Sequence, residues 1–180
     1  TVCGELLKMP GFEQVVTCTT RLPRAGEVNG RHYHFVSRKE FEAGIQGGKF
    51  LEHAVVHGNL YGTPRDAVER SIRGGKNVLL AIDVQGAAQL RGLPYLRGRM
   101  ATIFLMPPDE KTLAARLAGR GTEDAAKVAS RLAAARREML EKDNYDHVVI
   151  NGELAATVRE ILEKLDKSAD SPQNIGSLDS

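Results

Sequence analysis

The sequence has few of the features that mark membrane proteins or nucleic-acid-binding proteins. Its longest apolar runs, VLLAI at 78–82 and IFLM at 103–106, are far shorter than the roughly 20 residues of a membrane-spanning helix. The formal net charge is only +2 over 180 residues, and no basic face rich in aromatic residues is present. We therefore expect neither a membrane nor a nucleic acid as a partner.

Cysteine is also scarce. Cys3 and Cys18 are too few for a disulfide framework or a zinc site, and they are interpreted as reduced thiols of a cytoplasmic protein. His32 and His34 share one face of a predicted strand, but no cysteine or carboxylate lies near them at ligand spacing. The sequence thus predicts no metal ion held directly by this chain.

The composition that is present indicates one soluble globular domain, with 42% hydrophobic and 27% charged residues. The chain begins TVCGELLK, without Met, and Leu6 and Leu7 predict a helix that starts at residue 1 without a cap. We expect this sequence to lack an N-terminal piece of its parent protein.

Residues 15–63 predict a small, mostly antiparallel unit. A capping box, Ser37 to Glu40, predicts a helix over about 38–46 that ends at Gly47-Gly48. The β-branched and aromatic runs of this region predict strands at Val15–Cys18, Tyr33–Val36, Phe50–Val56 and around Tyr61.

From residue 64 onward, helices alternate with short apolar strands. The strands are predicted at Val78–Ile82, Ala101–Met106 and His147–Ile150, and the helices at 64–73 and at about 109–118, 123–142 and 153–167. The continuous apolar run at 78–82 predicts burial on both faces of its strand. This alternation predicts an α/β fold with a parallel sheet and right-handed crossovers.

The stretch TTRLPRAGEVNG, residues 19–30, carries two arginines around a proline. Pro23 excludes a regular helix, and Gly26 and Asn29-Gly30 are turn signals. Arg21 and Arg24 on such a stiff segment suit an anion clamp. Taken alone, the stretch fits a solvated basic loop better than an anion clamp.

A second candidate lies in FLEHAVVHGNLYGT, residues 50–63. Glu52 interrupts a largely apolar strand, where an ionised carboxylate is costly without donors, and Tyr61 and Thr63 add hydroxyl groups after a turn. Guanine offers two adjacent N–H donors to a carboxylate and one carbonyl acceptor to a hydroxyl. Adenine has the reverse pattern on that edge, so we expect such a site to discriminate strongly.

Two further clusters follow. Asp83 ends an apolar strand, where ligands bind in open parallel sheets, and Gly86 is expected to let the backbone turn sharply into the next helix. The alternative for Asp83 is a helix N-cap. Arg116, Arg120 and Arg131 are expected to converge around a helical hairpin broken at Gly121 and to form a mobile cap over phosphates; ordinary surface salt bridges are the alternative.

Taken together and in this order, these residues resemble the guanylate kinase family, along nearly the whole chain to about residue 165. The stretches that match with the family's spacing are TTRLPRAGEVNGRHYHF, FLE, GNLYGT, IDVQGA, IFLMPP, RLAGRGTED, SRL and YDHVVIN. The resemblance implies a three-layer P-loop kinase core with a parallel sheet, a small mixed or antiparallel GMP-binding subdomain and a helical lid. It places the domain at 1–167, the subdomain at about 15–65, the lid at about 116–134 and a disordered tail at 168–180.

The resemblance also implies transfer of the γ-phosphoryl group of ATP to GMP, with Mg²⁺, in a monomer or small homo-oligomer. It assigns the GMP phosphate to Arg21, Arg24, Tyr33 and Tyr61, and guanine to Thr17, Glu52 and Thr63. Asp83 matches an acidic residue near the bound nucleotide, and Asn151 a position near the adenine of ATP. Arg116, Arg120 and Arg131 match the arginines that close on the transferred group, with Arg116 and Arg120 also contacting ATP. Arg24 is expected to lie closest to the reaction.

Three departures qualify this resemblance. The family's glycine-rich phosphate loop is absent, so we expect the chain as given to be inactive alone. Ala81 stands where the family usually has a second acidic residue, and Gly152 where an acidic residue is common. The alternative function is a non-catalytic, guanylate-kinase-like module that binds proteins, although such a module has little need of all three lid arginines.

Overall fold

The computed structural model describes residues 1–118 and 125–169, and the chain divides into two units after Leu96. Helices of the first part are α1 (Val2–Leu6), α2 (Arg38–Gln46), α3 (Arg65–Arg73) and α4 (Val84–Arg91). Its strands are β1 (Phe12–Gln14), β2 (Cys18–Thr19), β3 (His34–Phe35), β4 (Phe50–Val56), β5 (Asn59–Pro64) and β6 (Asn77–Leu79).

The first unit contains a four-stranded sheet in the order β3-β2-β5-β4. β2 and β4 are both antiparallel to β5, whereas β3 is parallel to β2. The capping box at Ser37 is present with both of its hydrogen bonds, and α2 begins and ends where the sequence predicts. A separate parallel pair joins β1 to β6. The pairing within the four-stranded sheet is therefore mostly antiparallel, as predicted, with β2 and β3 as its one parallel pair.

The second unit contains β7 (Ile103–Met106) and β8 (His147–Ile150), which form a parallel pair with Ile103 opposite His147. Its helices are α5 (Glu110–Ala118), α6 (Ala125–Met139) and α7 (Leu154–Ala169). The α7 residues Val158 and Ile161 are buried, as is Val149 of β8. This alternation of parallel strands and helices confirms the predicted α/β class.

Three local predictions are wrong. Of the strand predicted at Val15–Cys18 only Cys18 lies in a strand, because β1 ends at Gln14 and β2 begins at Cys18 in the other sheet. The apolar run at 78–82 forms a strand only as far as Leu79, and it is half-buried or exposed rather than buried on both faces. The first helix is capped after all, since the Gly4 N–H donates to the Thr1 hydroxyl at 3.3 Å.

Two expectations concern the ends of elements. The last helix continues to Ala169, two residues beyond its predicted end. The rest of the predicted tail, 170–180, lies outside the described residues.

Within the described ranges, no helix combines the length and the hydropathy needed to cross a membrane.

One face of β5 packs on an aromatic pair that leaves no room for a side chain at Gly62. Phe41 and Phe50 stack with ring centroids 4.3 Å apart. A Cβ added at Gly62 would lie 2.8 Å from Cζ of Phe41 and 3.0 Å from Cδ1 of Phe50. Side chains alternate along a strand, so Tyr61 and Thr63 lie on the opposite face of β5.

Gly62→Ala is expected to destabilise the protein by about 1–3 kcal/mol, because the added methyl group overpacks the aromatic pair. Urea unfolding followed by circular dichroism measures the change. Gly152→Ala is the matched control, since its Cβ would meet nothing within 4 Å. An unfolding midpoint for Gly62→Ala equal to that of the control would contradict the packing described here.

Candidate functional site

Cross-strand pairing assembles the predicted residues of the first unit on one face of its sheet. Tyr61 lies opposite Thr19, and Thr63 lies opposite Glu52. Residues opposite each other in a ladder project to the same face, as do residues two apart on one strand. The face that carries Tyr61 and Thr63 therefore also carries Glu52.

Arg21, Tyr33 and Tyr61 form a cationic cluster at one end of this face. Nε of Arg21 donates to the Tyr61 hydroxyl at 3.3 Å. The guanidinium carbon lies 5.4 Å from the centroid of the Tyr33 ring, and the two tyrosine rings meet edge to face at 6.0 Å. The structure thus brings together three of the four residues predicted to bind a phosphate.

Arg21 is held by a carboxylate that sequence reasoning missed. Its two terminal nitrogens donate to the two oxygens of Glu27 at 2.8 and 2.9 Å, and the side chains of this pair are only 14% and 18% exposed. The hydrogen bonds from Arg21 and then from the Arg24 backbone lower the pKa of Glu27 to about 2, and Glu27 raises the pKa of Arg21. The only sequence signal for this ion pair was the presence of one acidic residue, Glu27, in a predicted turn that also carries two arginines.

Arg24, the fourth predicted phosphate ligand, is exposed. Its backbone N–H donates to Glu27 at 2.6 Å, but within the described residues its guanidinium forms no hydrogen bond or ion pair. The predicted turn is present, with positive φ angles at Gly26 and Gly30. Arg24 therefore offers an uncommitted cation beside the Arg21–Glu27 pair.

Glu52 and Thr63 form the other end of the face. Glu52 is 5% exposed and Thr63 is 0% exposed, and the Thr63 hydroxyl donates to Oε1 of Glu52 at 2.5 Å. Burial raises the pKa of Glu52 above its usual value; the hydrogen bond from Thr63 opposes this shift, and the charge of Asp83 adds to it. The described residues give this buried carboxylate no ion pair, which favours a ligand that supplies N–H donors.

Asp83 caps α4, as the alternative interpretation proposed. Its Oδ1 accepts the Gly86 N–H at 2.9 Å, and its Oδ2 accepts an N–H of Gln85 at 2.9 Å. The role expected for Gly86 is wrong: it lies inside the helix without a positive φ. A Cβ there would collide with Oε2 of Glu52, so glycine is needed to let α4 approach the carboxylate.

Thr17 immediately precedes β2. The antiparallel register sets Cys18 opposite Gly62, and continuing it by one residue sets Thr17 opposite Thr63. The Thr17 carbonyl accepts the His34 N–H at 2.8 Å, whereas its half-buried hydroxyl forms no hydrogen bond in the described part of the chain. The hydroxyl is therefore free to donate to a ligand at the Glu52 end.

In the second unit, Arg116 and Asn151 come together. Arg116 of α5 donates to the backbone carbonyls of Asn151 at 2.8 Å and Gly152 at 3.4 Å, just beyond β8. It borders an open depression of about 690 Å³ lined also by Asp109, Lys111, Thr112 and Ala115. Arg131 lies on α6, half-buried, and Arg120 lies outside the described residues, so their predicted convergence stays a prediction.

The arrangement in the first unit can bind a ligand that is anionic at one end and rich in N–H donors at the other. The cationic end offers the guanidinium of Arg24 and the tyrosine hydroxyls. The other end offers the acceptors of Glu52 and the hydroxyl of Thr17. Tyr61 at one end and Thr63 at the other are two residues apart on β5, so the strand fixes the spacing of these two side chains.

Comparison with known proteins gives a consistent result. The family model of guanylate kinase matches residues 7–168. The guanylate kinase of Wolbachia pipientis wMel is 39% identical over 168 residues, which are 93% of this chain and 83% of that protein. The guanylate kinase of Neisseria meningitidis serogroup A is 49% identical over 146 residues, covering 81% and 69%. The crystal structure of guanylate kinase from Anaplasma phagocytophilum matches with a TM-score of 0.79 at 33% identity, covering 96% of this chain and 82% of that one. The chain belongs to the guanylate kinase family.

Proposed function

We propose that the described face of the first unit binds GMP as the acceptor in the transfer of the ATP γ-phosphoryl group, which yields GDP and ADP. The observation that carries this proposal is the position of Tyr61 and Thr63 on one face of β5. Tyr61 contacts the arginine of the anion-binding end, and Thr63 contacts the buried carboxylate of the other end. Two residues of an antiparallel strand span roughly 7 Å, so one strand sets the distance between the phosphate and the base.

The base end suits guanine. The Glu52 carboxylate would accept the two adjacent N–H groups of guanine, in place of water that burial has removed. Because Thr63 already donates its single hydroxyl hydrogen to Glu52, the donor to the guanine carbonyl is assigned to Thr17. Adenine would direct an acceptor at the carboxylate, so Glu52 would keep its hydrogen bond from Thr63 but gain no donor from the base.

The phosphate end suits the 5′-phosphate. The Tyr61 hydroxyl accepts from Arg21, so its own hydrogen is available to a phosphate oxygen, and Arg24 supplies a further guanidinium. Charge-assisted hydrogen bonds of this type are among the strongest in proteins. Phosphoryl transfer depends mainly on positioning and charge neutralisation, and both are what this end provides.

The second unit is assigned to the ATP side. Asn151 is proposed to lie near the adenine, and Arg116, Arg120 and Arg131 to close on the transferred phosphoryl group as parts of a helical lid. The support is the contact of Arg116 with the segment after β8, together with family membership. The three-layer core implied by the family belongs to the same proposal.

ATP-dependent transfer implies a divalent cation, Mg²⁺. The described residues contain no group of three or more His, Cys, Asp or Glu side chains placed to hold a metal ion. Asp83, the N-cap of α4, already accepts two hydrogen bonds. Mg²⁺ commonly binds through substrate phosphates, and we assign it no ligand in this chain.

Binding measurements test the proposal independently of ATP. By isothermal titration calorimetry, the chain is expected to bind GMP at least about 100-fold more tightly than AMP, because adenine supplies no pair of N–H donors to the buried Glu52 carboxylate. The two ligands carry the same phosphate, so the comparison isolates the base. Equal affinities for GMP and AMP, or no binding of GMP, would overturn the assignment of this face.

A further inference from the structure

Glu27 links the two arginines of the segment that is proposed to bind the phosphate. Its carboxylate accepts two hydrogen bonds from Arg21 and one from the backbone N–H of Arg24. The Glu27 N–H in turn donates to the Arg24 carbonyl at 3.0 Å, which closes a turn. One carboxylate thus fixes both the guanidinium of Arg21 and the backbone from which the Arg24 side chain projects.

The donors of Arg21 are almost fully used in this arrangement. Four of its five N–H groups donate, to Tyr61, to the Leu22 carbonyl and to the two oxygens of Glu27. One N–H of the guanidinium therefore remains for a ligand. The pair with Glu27 is also electrically neutral as a whole, so the net positive charge for a phosphate comes from Arg24.

We propose that Glu27 is a positioning residue for the phosphate of the acceptor nucleotide, acting through the orientation of Arg21 and Arg24. This inference rests on the proposed function. Glu27 holds the Arg21 guanidinium beside the Tyr61 hydroxyl, to which Nε of Arg21 donates. It also holds the backbone turn at Arg24. Because this segment is already ordered, binding through the Arg24 guanidinium does not have to order the loop.

The opposite role, in which Glu27 competes with the phosphate for Arg21, would require the carboxylate to leave on binding. The carboxylate would then also lose the hydrogen bond that it accepts from the Arg24 N–H at 2.6 Å. The turn would lose a contact that holds its backbone. Positioning requires no such rearrangement, because Arg24 and the hydroxyls are already available. The two roles predict opposite effects of removing the carboxylate.

The test compares Glu27→Gln with the unchanged chain, using GMP and guanosine as ligands in calorimetric titrations. Guanosine lacks the phosphate, so it reports only on the base end. Glu27→Gln is expected to weaken GMP binding about tenfold, since an amide cannot accept two charge-assisted hydrogen bonds from Arg21. Guanosine binding is expected to stay within twofold. Glu42→Gln, which removes an exposed carboxylate paired with Arg38, is the matched control and is expected to change neither affinity.

The outcomes separate the possibilities. Tighter GMP binding by Glu27→Gln would show competition and overturn the inference, as would unchanged GMP binding. Equal losses for GMP and guanosine would indicate a general structural defect and also overturn it. If Glu27→Gln does not fold, Glu27→Asp keeps the charge with a shorter reach, and a loss confined to GMP is again the expected result. Failure of the unchanged chain to bind GMP would overturn the proposed function itself.

Discussion

Replacing Glu52 by alanine is expected to weaken GMP binding by about 100-fold or more and to abolish the preference for GMP over AMP. The carboxylate is 5% exposed, and its only side-chain hydrogen bond in the described residues comes from Thr63. In the alanine variant the two guanine N–H groups would be buried without acceptors, which costs more than the loss of an exposed contact. AMP affinity should change little, because adenine gains nothing from the carboxylate.

Glu52→Gln sharpens this test because it keeps the shape of the side chain. The amide offers one acceptor where the carboxylate offers two, and its NH₂ group would face a guanine donor. The pKa of Glu52 is raised in the folded protein, so ionisation of this carboxyl group lowers the free energy of unfolding. The stability that the protonated form contributes at low pH is lost as the pH rises through the raised pKa. Glu52→Gln should therefore retain stability while losing GMP affinity. A variant that folds and still prefers GMP over AMP would contradict the role of Glu52.

The sequence predicted those elements whose signals are local. The capping box at Ser37 sets the start of α2 by its own hydrogen bonds, and β8 is bounded as predicted at His147–Ile150. The strand predicted at Val15–Cys18 is wrong because the β propensity of these residues does not tell which strand they would pair with. The chain crosses there from the sheet of β1 to the sheet of β2, so the β-branched run bridges two ladders instead of forming one.

The limits of prediction were similar at the candidate site. Glu52 and Thr63 could be anticipated together, because strands joined by a short turn pair in antiparallel register. Glu27 could not be, since its contacts with Arg21 and Arg24 depend on the conformation of a turn that no periodicity describes. The reason for Gly86 was equally hidden: its Cβ would collide with Glu52, 34 positions earlier in the chain. Contacts between distant segments require the fold itself.

Replacing Arg24 by alanine is expected to weaken GMP binding by about 10- to 100-fold while leaving guanosine binding within twofold. Since the Arg21–Glu27 pair is neutral as a whole, Arg24 is the cation that balances the phosphate charge. Its guanidinium makes no hydrogen bond or ion pair in the described part of the chain, so its removal should not alter unfolding. Arg24→Lys is expected to recover only part of the loss, because an ammonium group cannot bind two phosphate oxygens in the bidentate geometry of arginine.

Arg31→Ala is the matched control, because Arg31 is also exposed, directly follows the same segment, and its removal changes the net charge identically. A general electrostatic attraction of GMP to a basic loop would make both variants lose affinity to a similar extent, and the losses would fade at high salt. A specific contact predicts a large loss of GMP affinity for Arg24→Ala alone, and part of that loss should persist at high ionic strength. Equal losses of GMP affinity in the two variants would show that TTRLPRAGEVNG is a solvated basic loop and not a phosphate site. A difference confined to Arg24 and to the ligand that carries a phosphate would identify it as the phosphate end of the site.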